Sequence, residues 1–512
     1  MSGGCGALGV CSRGLYSCYW KHSSERKRRC ACCWFSFVAV ATLLSLAWLL
    51  IWMALYNSRD DMNTKAFEKT NKWINWFMVI VIISSVLAIY AFLLLLFALV
   101  QYALKEPLDL HCVHKVLLSV GLVIIFAGVM GISLQWKKEW PTVPLFLQAT
   151  APFLQLGAVL ALTLHSWLLI KSYHRAQRKA SRAFILLSWA AVSLAVFLCP
   201  LLIHDFCPCL LEELPPKPAL IGHRGAPMLA PENTMMSFRR SLECNVTAFE
   251  TDVQISKDGR PFLMHDNTSL RRTTNVEAIF PQHATNNTPS DFTWEEIRSL
   301  SAGKGFWDFQ NDPLQRPPSL SDTEWSNVRN QSVPSLRELL DLAKEHNVSI
   351  IFDLKNEKPN NTDANVTVHT ILASGIAQNL MWWLPPVHRA EVKAMAPGFR
   401  QVLRELRSRN VSVNLWVVNE PWLFSLVWCS GASSVTTNAC HLLKDMAQPH
   451  WQMDPMLYRM IWISADLVSV LVMFGLFLLQ RCCLRHSKGK GGRGDRFSAW
   501  NQRELSPFLP SE

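Results

Sequence analysis

Six long stretches of this chain are almost free of charge. They lie at 33–56, 76–100, 117–134, 144–170, 183–203 and 457–480. Each is close to the roughly 20 apolar residues a helix needs to cross a bilayer. Hydrocarbon offers no hydrogen-bond partners, so backbone placed there is restricted to helices or closed barrels. One such run reads as a buried helix of a soluble protein. Six, several edged by Trp and Tyr, predict a multi-pass α-helical membrane protein. The first 30 residues carry no apolar core of the kind a cleavable signal needs, so the first span is expected to do the targeting.

Charge orients these spans. The chain has 50 Lys+Arg against 39 Asp+Glu, yet 204–456 holds 23 basic and 28 acidic residues. The basic excess therefore sits beside the spans: "KHSSERKRR" before the first, "KSYHRAQRKASR" between the fourth and fifth, "RCCLRHSKGKGGRGDR" after the last. Short cytoplasmic loops favour Lys and Arg. All three segments share one side if both termini are cytoplasmic, which leaves 204–456 extracellular or lumenal. A nucleic-acid partner is excluded, because the basic residues cluster at membrane boundaries. The N-x-S/T sequons agree. All eight, at Asn245, Asn267, Asn286, Asn330, Asn347, Asn360, Asn365 and Asn410, fall inside 204–456.

The expected organisation follows. Residues 1–32 form a basic, Cys-rich cytoplasmic N-terminus and 33–203 hold five spans. The outer domain covers 204–456, 457–480 is the sixth span, and 481–512 is a cytoplasmic tail. Cysteines beside basic juxtamembrane residues read equally as palmitoylation sites or as idle thiols. In the outer domain Cys207, Cys209, Cys244, Cys429 and Cys440, with Cys199 as a further candidate, can form disulfides whose pairing the sequence does not give.

The outer domain alternates strand-like and helix-like segments. Strands are expected at 219–224, 247–256, 348–355, 381–385, 411–419 and 433–438, and helices at "TMMSFRRSLEC" and "SLRELLDLAKEHN". This alternation predicts a parallel sheet, and the length suits a barrel of about eight βα units. "KDG" before "RPFLMHD" reads as a hairpin turn. Polar residues gather where the strands end. His223 and Arg224 follow the first, Glu250 and Asp252 lie two apart on the second, His265 and Asp266 close the hairpin, and Asp353 and Lys355 end the next. Residues two apart on a strand face the same way, and the C-terminal rim of such a barrel carries its active site. Glu250, Asp252 and Asp353 are hard oxygen ligands suited to Ca2+ or Mg2+. Arg224 and Lys355 suit a phosphate, and two histidines suit acid and base for phosphodiester cleavage. Any one of these residues alone reads as core packing, a solvated face or an ordinary ion pair.

"GHRGAP…PENT", "FETDVQISKDGRPFLMHD", "IFDLK" and "VNLWVVN" resemble the glycerophosphodiester phosphodiesterases. With the flanking helices, the chain is similar to the vertebrate six-transmembrane members of that family. The resemblance implies a TIM-barrel, phospholipase-C-like phosphodiesterase domain between membrane helices, hydrolysing glycerophosphodiesters with a divalent metal. It implies His223 and His265 as acid and base, Glu250 and Asp252 as metal ligands, and Arg224 and Lys355 as phosphate contacts. It also implies attack by a neighbouring hydroxyl of the glycerol or inositol group, giving a cyclic phosphate. Glu232 of "PENT" takes either a metal-shell or a structural role, and Trp416 either packs or stacks on substrate.

Two departures stand out. The family usually has Glu where this chain has Asp353. The stretch from 397 to 411 is also short: "GFRQV" reads as a strand and "LRELRSRN" as a short helix, leaving about one βα unit absent from the usual eight. The expected activity is metal-dependent hydrolysis of glycerophosphoinositol, glycerophosphocholine or a related head group at the outer face of a membrane, the plasma membrane being the expected site. The alternative is a catalytically impaired relative that binds lipid head groups or a partner. A transporter is disfavoured, since the spans contain few ionisable residues apart from His165 and Asp466.

Overall fold

The computed structural model describes residues 14–18, 31–70, 72, 74–104, 108–135, 140–206, 209, 212–267, 270–283, 288–303, 320–355, 362–385, 388–401, 413–450 and 452–489. Among these are six helices long and apolar enough to cross a membrane: Cys33–Phe67, Trp76–Gln101, Cys112–Leu134, Thr142–His174, Lys179–Leu201 and Pro455–Cys482. All six expected runs are helical. Their outward faces carry large apolar side chains, such as Phe126, Phe184 and Leu471. Burying those faces in water would be unfavourable, whereas lipid accepts them.

Two compact units form. One joins Met1–Phe146 to Pro215–His450, and the other joins Leu147–Leu214 to Trp451–Glu512. In the second unit polar side chains link helices, as Thr163 Oγ1 meets Ser469 Oγ at 2.7 Å, Gln480 donates to Trp167 O at 2.9 Å and Trp462 donates to Phe197 O at 2.8 Å.

The first unit contains the sheet. Its strands are β1 (Ala219–His223), β2 (Ala248–Ile255), β3 (Pro261–Leu263), β4 (Ser349–Leu354), β5 (Met381–Trp383), β6 (Arg400–Gln401), β7 (Asn414–Trp416) and β8 (Ser434–Thr437). The order is β6-β5-β4-β2-β1-β8-β7, all parallel, with β3 antiparallel to β2. The described residues thus supply seven parallel strands, and β6 and β7 are the two edges. Together these strands form a curled part-barrel among the described residues; the stretch after 401 where a βα unit is expected to be absent lies outside them. The "LRELRSRN" helix lies outside the described residues.

The central strands are buried on both faces, as a parallel sheet covered by helices requires. Phe249, Phe352 and Trp383 are fully enclosed, Phe352 and Trp383 edge to face at 5.1 Å. Thr234 caps helix Met235–Leu242 and Ser335 caps Leu336–His346 with Glu338 in a capping box. Both helices fall where their patterns placed them. Cys244 and Cys440 form a disulfide across 196 residues, joining the first βα unit to the last. Cys199 is a free thiol.

Candidate active site

Strand register brings the site together. His223 on β1 is level with Glu250 on β2, and Asp252 on β2 is level with Asp353 on β4. Alternation then turns Glu250, Asp252 and Asp353 to one face at the C-terminal rim. The chain leaves β1 through Arg224 (φ 53°) and Gly225 (φ 87°). A Cβ at Gly225 would lie 2.5 Å from Ser237 Oγ, so only glycine lets this turn fold onto the helix start. Ser237 Oγ donates to Arg224 O at 3.0 Å and accepts from Ala226 N at 2.7 Å.

His223 Nδ1 lies 2.6 Å from Asn438 Oδ1, and its Nε2 lies 3.7 Å from Glu250 Oε2. A carboxamide oxygen accepts, so Nδ1 carries the proton and Nε2 presents its lone pair. Burial and the neighbouring Arg224 push this imidazole down to about 4, so it is neutral at physiological pH. Burial and the adjacent Asp252 hold Glu250 well above the usual carboxylate range, although the Arg224 amide donates to it at 3.2 Å.

Asp252 is buried, ion-paired with Lys355 Nζ at 3.0 Å and Arg224 Nε at 3.2 Å, and accepts a hydrogen bond from Asn233 Nδ2 at 3.2 Å. Burial works against its charge, but Arg224, His265 and Lys355 together hold it well below the usual range. Lys355 also reaches Asp353 at 2.8 Å. Burial opposes its charge too, yet Asp252 and Asp353 raise it above its ordinary value. Arg224 is thus shared between Asp252 and Glu232, the latter at 3.3 Å.

A second cluster adjoins the first. Glu232, His265 and Asp266 bring one donor atom each within 4.8 Å of one another. Arg272 pairs with both carboxylates and so compensates them: its guanidinium donates to Asp266 Oδ1 at 2.8 Å and to Glu232 Oε2 at 3.0 Å. His265 stands 3.7 Å from Asp266 and keeps a third of its side chain exposed. Glu250, Asp252 and Asp353 offer three hard oxygen ligands beside the cations Arg224 and Lys355, and Glu232 and Asp266 offer two beside Arg272.

Trp416 is 76% exposed on edge strand β7. Asn245, Asn267, Asn330 and Asn347 are exposed and Asn365 is half-buried; Asn286, Asn360 and Asn410 lie outside the described residues. Sequence reasoning missed Asn233, Arg272 and Asn438. Asn233 sits inside "PENT" and Asn438 ends the last strand, so the rim rule reaches both. Arg272 carries no comparable signal.

A family model for the glycerophosphoryl diester phosphodiesterase family matches residues 223–374. The mouse protein glycerophosphoinositol inositolphosphodiesterase GDPD2 is 40% identical over 95% of this chain and 96% of its own length. The chain belongs to the glycerophosphoryl diester phosphodiesterase family. Its family is therefore one of phosphoric diester hydrolases. The chicken glycerophosphodiester phosphodiesterase domain-containing protein 5 is 37% identical over 92% of this chain and 84% of its own length. A solved glycerophosphodiester phosphodiesterase from Agrobacterium tumefaciens covers 44% of this chain and 99% of its own at 19% identity and a TM-score of 0.34.

Proposed function

We propose that this chain is a multi-pass membrane enzyme that hydrolyses glycerophosphodiesters, with glycerophosphoinositol the first substrate to test. The observation that carries the reading is the convergence of His223, Arg224, Glu250, Asp252, Asp353 and Lys355 on one rim. The full-length similarity to a glycerophosphoinositol inositolphosphodiesterase supports the choice of head group. The catalytic domain faces the extracellular or lumenal side, by the charge and sequon arguments above, and both termini are cytoplasmic.

Glu250, Asp252 and Asp353 would hold a divalent cation, Ca2+ or Mg2+, which would neutralise charge building on the phosphoryl oxygens. Arg224 and Lys355 bind the phosphate. His223, neutral with Nε2 unprotonated, takes the proton of a neighbouring substrate hydroxyl as that oxygen bonds to phosphorus. The bond from phosphorus to the leaving oxygen breaks, and that oxygen takes a proton from His265. Water then opens the cyclic phosphate, with the two histidines exchanging roles.

That β6 and β7 end the sheet among the described residues favours a second reading, an impaired member that binds head groups without turnover. Purified full chain, offered glycerophosphoinositol and glycerophosphocholine with and without chelator, separates the two. Turnover that is lost on chelation, restored by Ca2+ or Mg2+ and absent in Glu250→Ala and Asp252→Ala is expected. Substrate binding without turnover under all metals would overturn the catalytic reading.

A further inference from the structure

Just past the first apolar run, the short 3-10 turn Leu55–Ser58 and the start of helix Arg59–Thr70 touch the sheet. Asn57 is buried, and its carboxamide makes a two-point clamp. Nδ2 donates to Val417 O at 2.7 Å, and Oδ1 accepts from Asn419 N at 2.9 Å. Val418 N donates to Thr436 O at 2.9 Å, toward β8. Neighbouring residues of an extended chain direct their backbone groups to opposite sides. Val417 O and Asn419 N therefore point away from β8, to the side where a further strand would pair. A carboxamide presents one donor and one acceptor much as a peptide group does, so Asn57 stands in for that strand. Buried backbone groups left unpaired there would be costly. Two residues on, the buried Arg59 guanidinium pairs with Glu420, donates to Tyr56 O at 3.2 Å and lies 4.4 Å from the Tyr56 ring.

The clamped residue leads into the site. Asn419 is buried, and its Oδ1 accepts from Asn438 N at 2.8 Å and from Thr437 Oγ1 at 3.4 Å. Asn438 Oδ1 in turn is the partner of His223 Nδ1 at 2.6 Å. A continuous series of hydrogen bonds thus runs from Asn57 through Asn419 and Asn438 to His223. We infer that Asn57 is a positioning residue: the exit of the first membrane helix fixes the 417–420 loop, and through Asn419 and Asn438 sets the ring orientation and tautomer of His223. This rests on His223 being the catalytic base. A consequence is that the barrel excised from its first helix has an ill-defined base.

The test uses the full chain with glycerophosphoinositol. Asn57→Ala should lower kcat at least tenfold while KM stays within about twofold, since a misplaced base slows proton transfer without removing phosphate contacts. Asn57→Asp keeps the acceptor for Asn419 N and loses the donor to Val417 O, so it should fall between. It also serves as the readout should Asn57→Ala fail to accumulate. Asn438→Ala should lower kcat on its own, and adding Asn57→Ala to it should cost less than twofold more, because the path is already cut. A purely structural role predicts independent, multiplying losses instead. Full kcat in both Asn57 variants, or multiplying losses in the double variant, overturns the inference. His223→Ala is the control: if it retains turnover, the reading of the site fails; if it alone abolishes turnover, only the role of Asn57 is in question.

Discussion

Asn233 is where the local backbone and the proposed metal-binding face meet, and its replacement separates two costs. Its side chain donates to Asp252 at 3.2 Å and accepts from Thr251 Oγ1 at 2.7 Å, and both partners are buried. Its backbone holds φ at 54°. A hydrogen bond to a charged group contributes about 1.5–3 kcal/mol and one between neutral groups about 0.5–1.5, so losing both costs about 2–4 kcal/mol. Asn and Gly visit the left-handed region readily, while a Cβ without a local polar group adds about 1 kcal/mol. Asn233→Gly should therefore lose about 2–4 kcal/mol and Asn233→Ala about 1 kcal/mol more. At about 2–4 °C per kcal/mol for a domain of this size, the glycine variant should melt about 5–15 °C lower in detergent and the alanine variant a few degrees lower again. Both release Asp252 from one of its three partners, so turnover at saturating metal should drop about tenfold or more. Equal melting points for glycine and alanine would refute the backbone argument. Unchanged turnover in both would show that Asp252 needs no such support.

His223→Ala and His265→Ala should each reduce kcat by about 10²–10⁴-fold with smaller effects on KM, checked by steady-state kinetics; an effect confined to KM would make that histidine a binding residue. Replacing Cys244 and Cys440 by Ser frees a loop spanning 196 residues and should cost about 5 kcal/mol in the chain-entropy model, read as a lower thermal midpoint at unchanged KM. Glycosidase treatment of intact cells should shift the gel mobility of surface protein, and Gln at Asn245, Asn267, Asn330 and Asn347 together should remove most of that shift; no shift in cells or lysate would leave the orientation resting on charge alone.

Local chemistry made much of this protein legible. Apolar runs gave six helices, because backbone in hydrocarbon has no other partners. The period of two put Glu250 and Asp252 on one face, and the rim of a parallel sheet told where they would act. The capping residues Thr234 and Ser335 marked two helix starts. What remained hidden was the choice of partner. His223 is set by Asn438, 215 residues later. Arg272 pairs with Glu232 across 40 residues. Asn57 clamps a backbone 362 residues away. A sequence displays periodicities along one element, because each side chain's direction follows from local dihedrals. Which donor meets which acceptor depends on sheet register and on how distant segments close against one another, and those are set only when the whole chain packs.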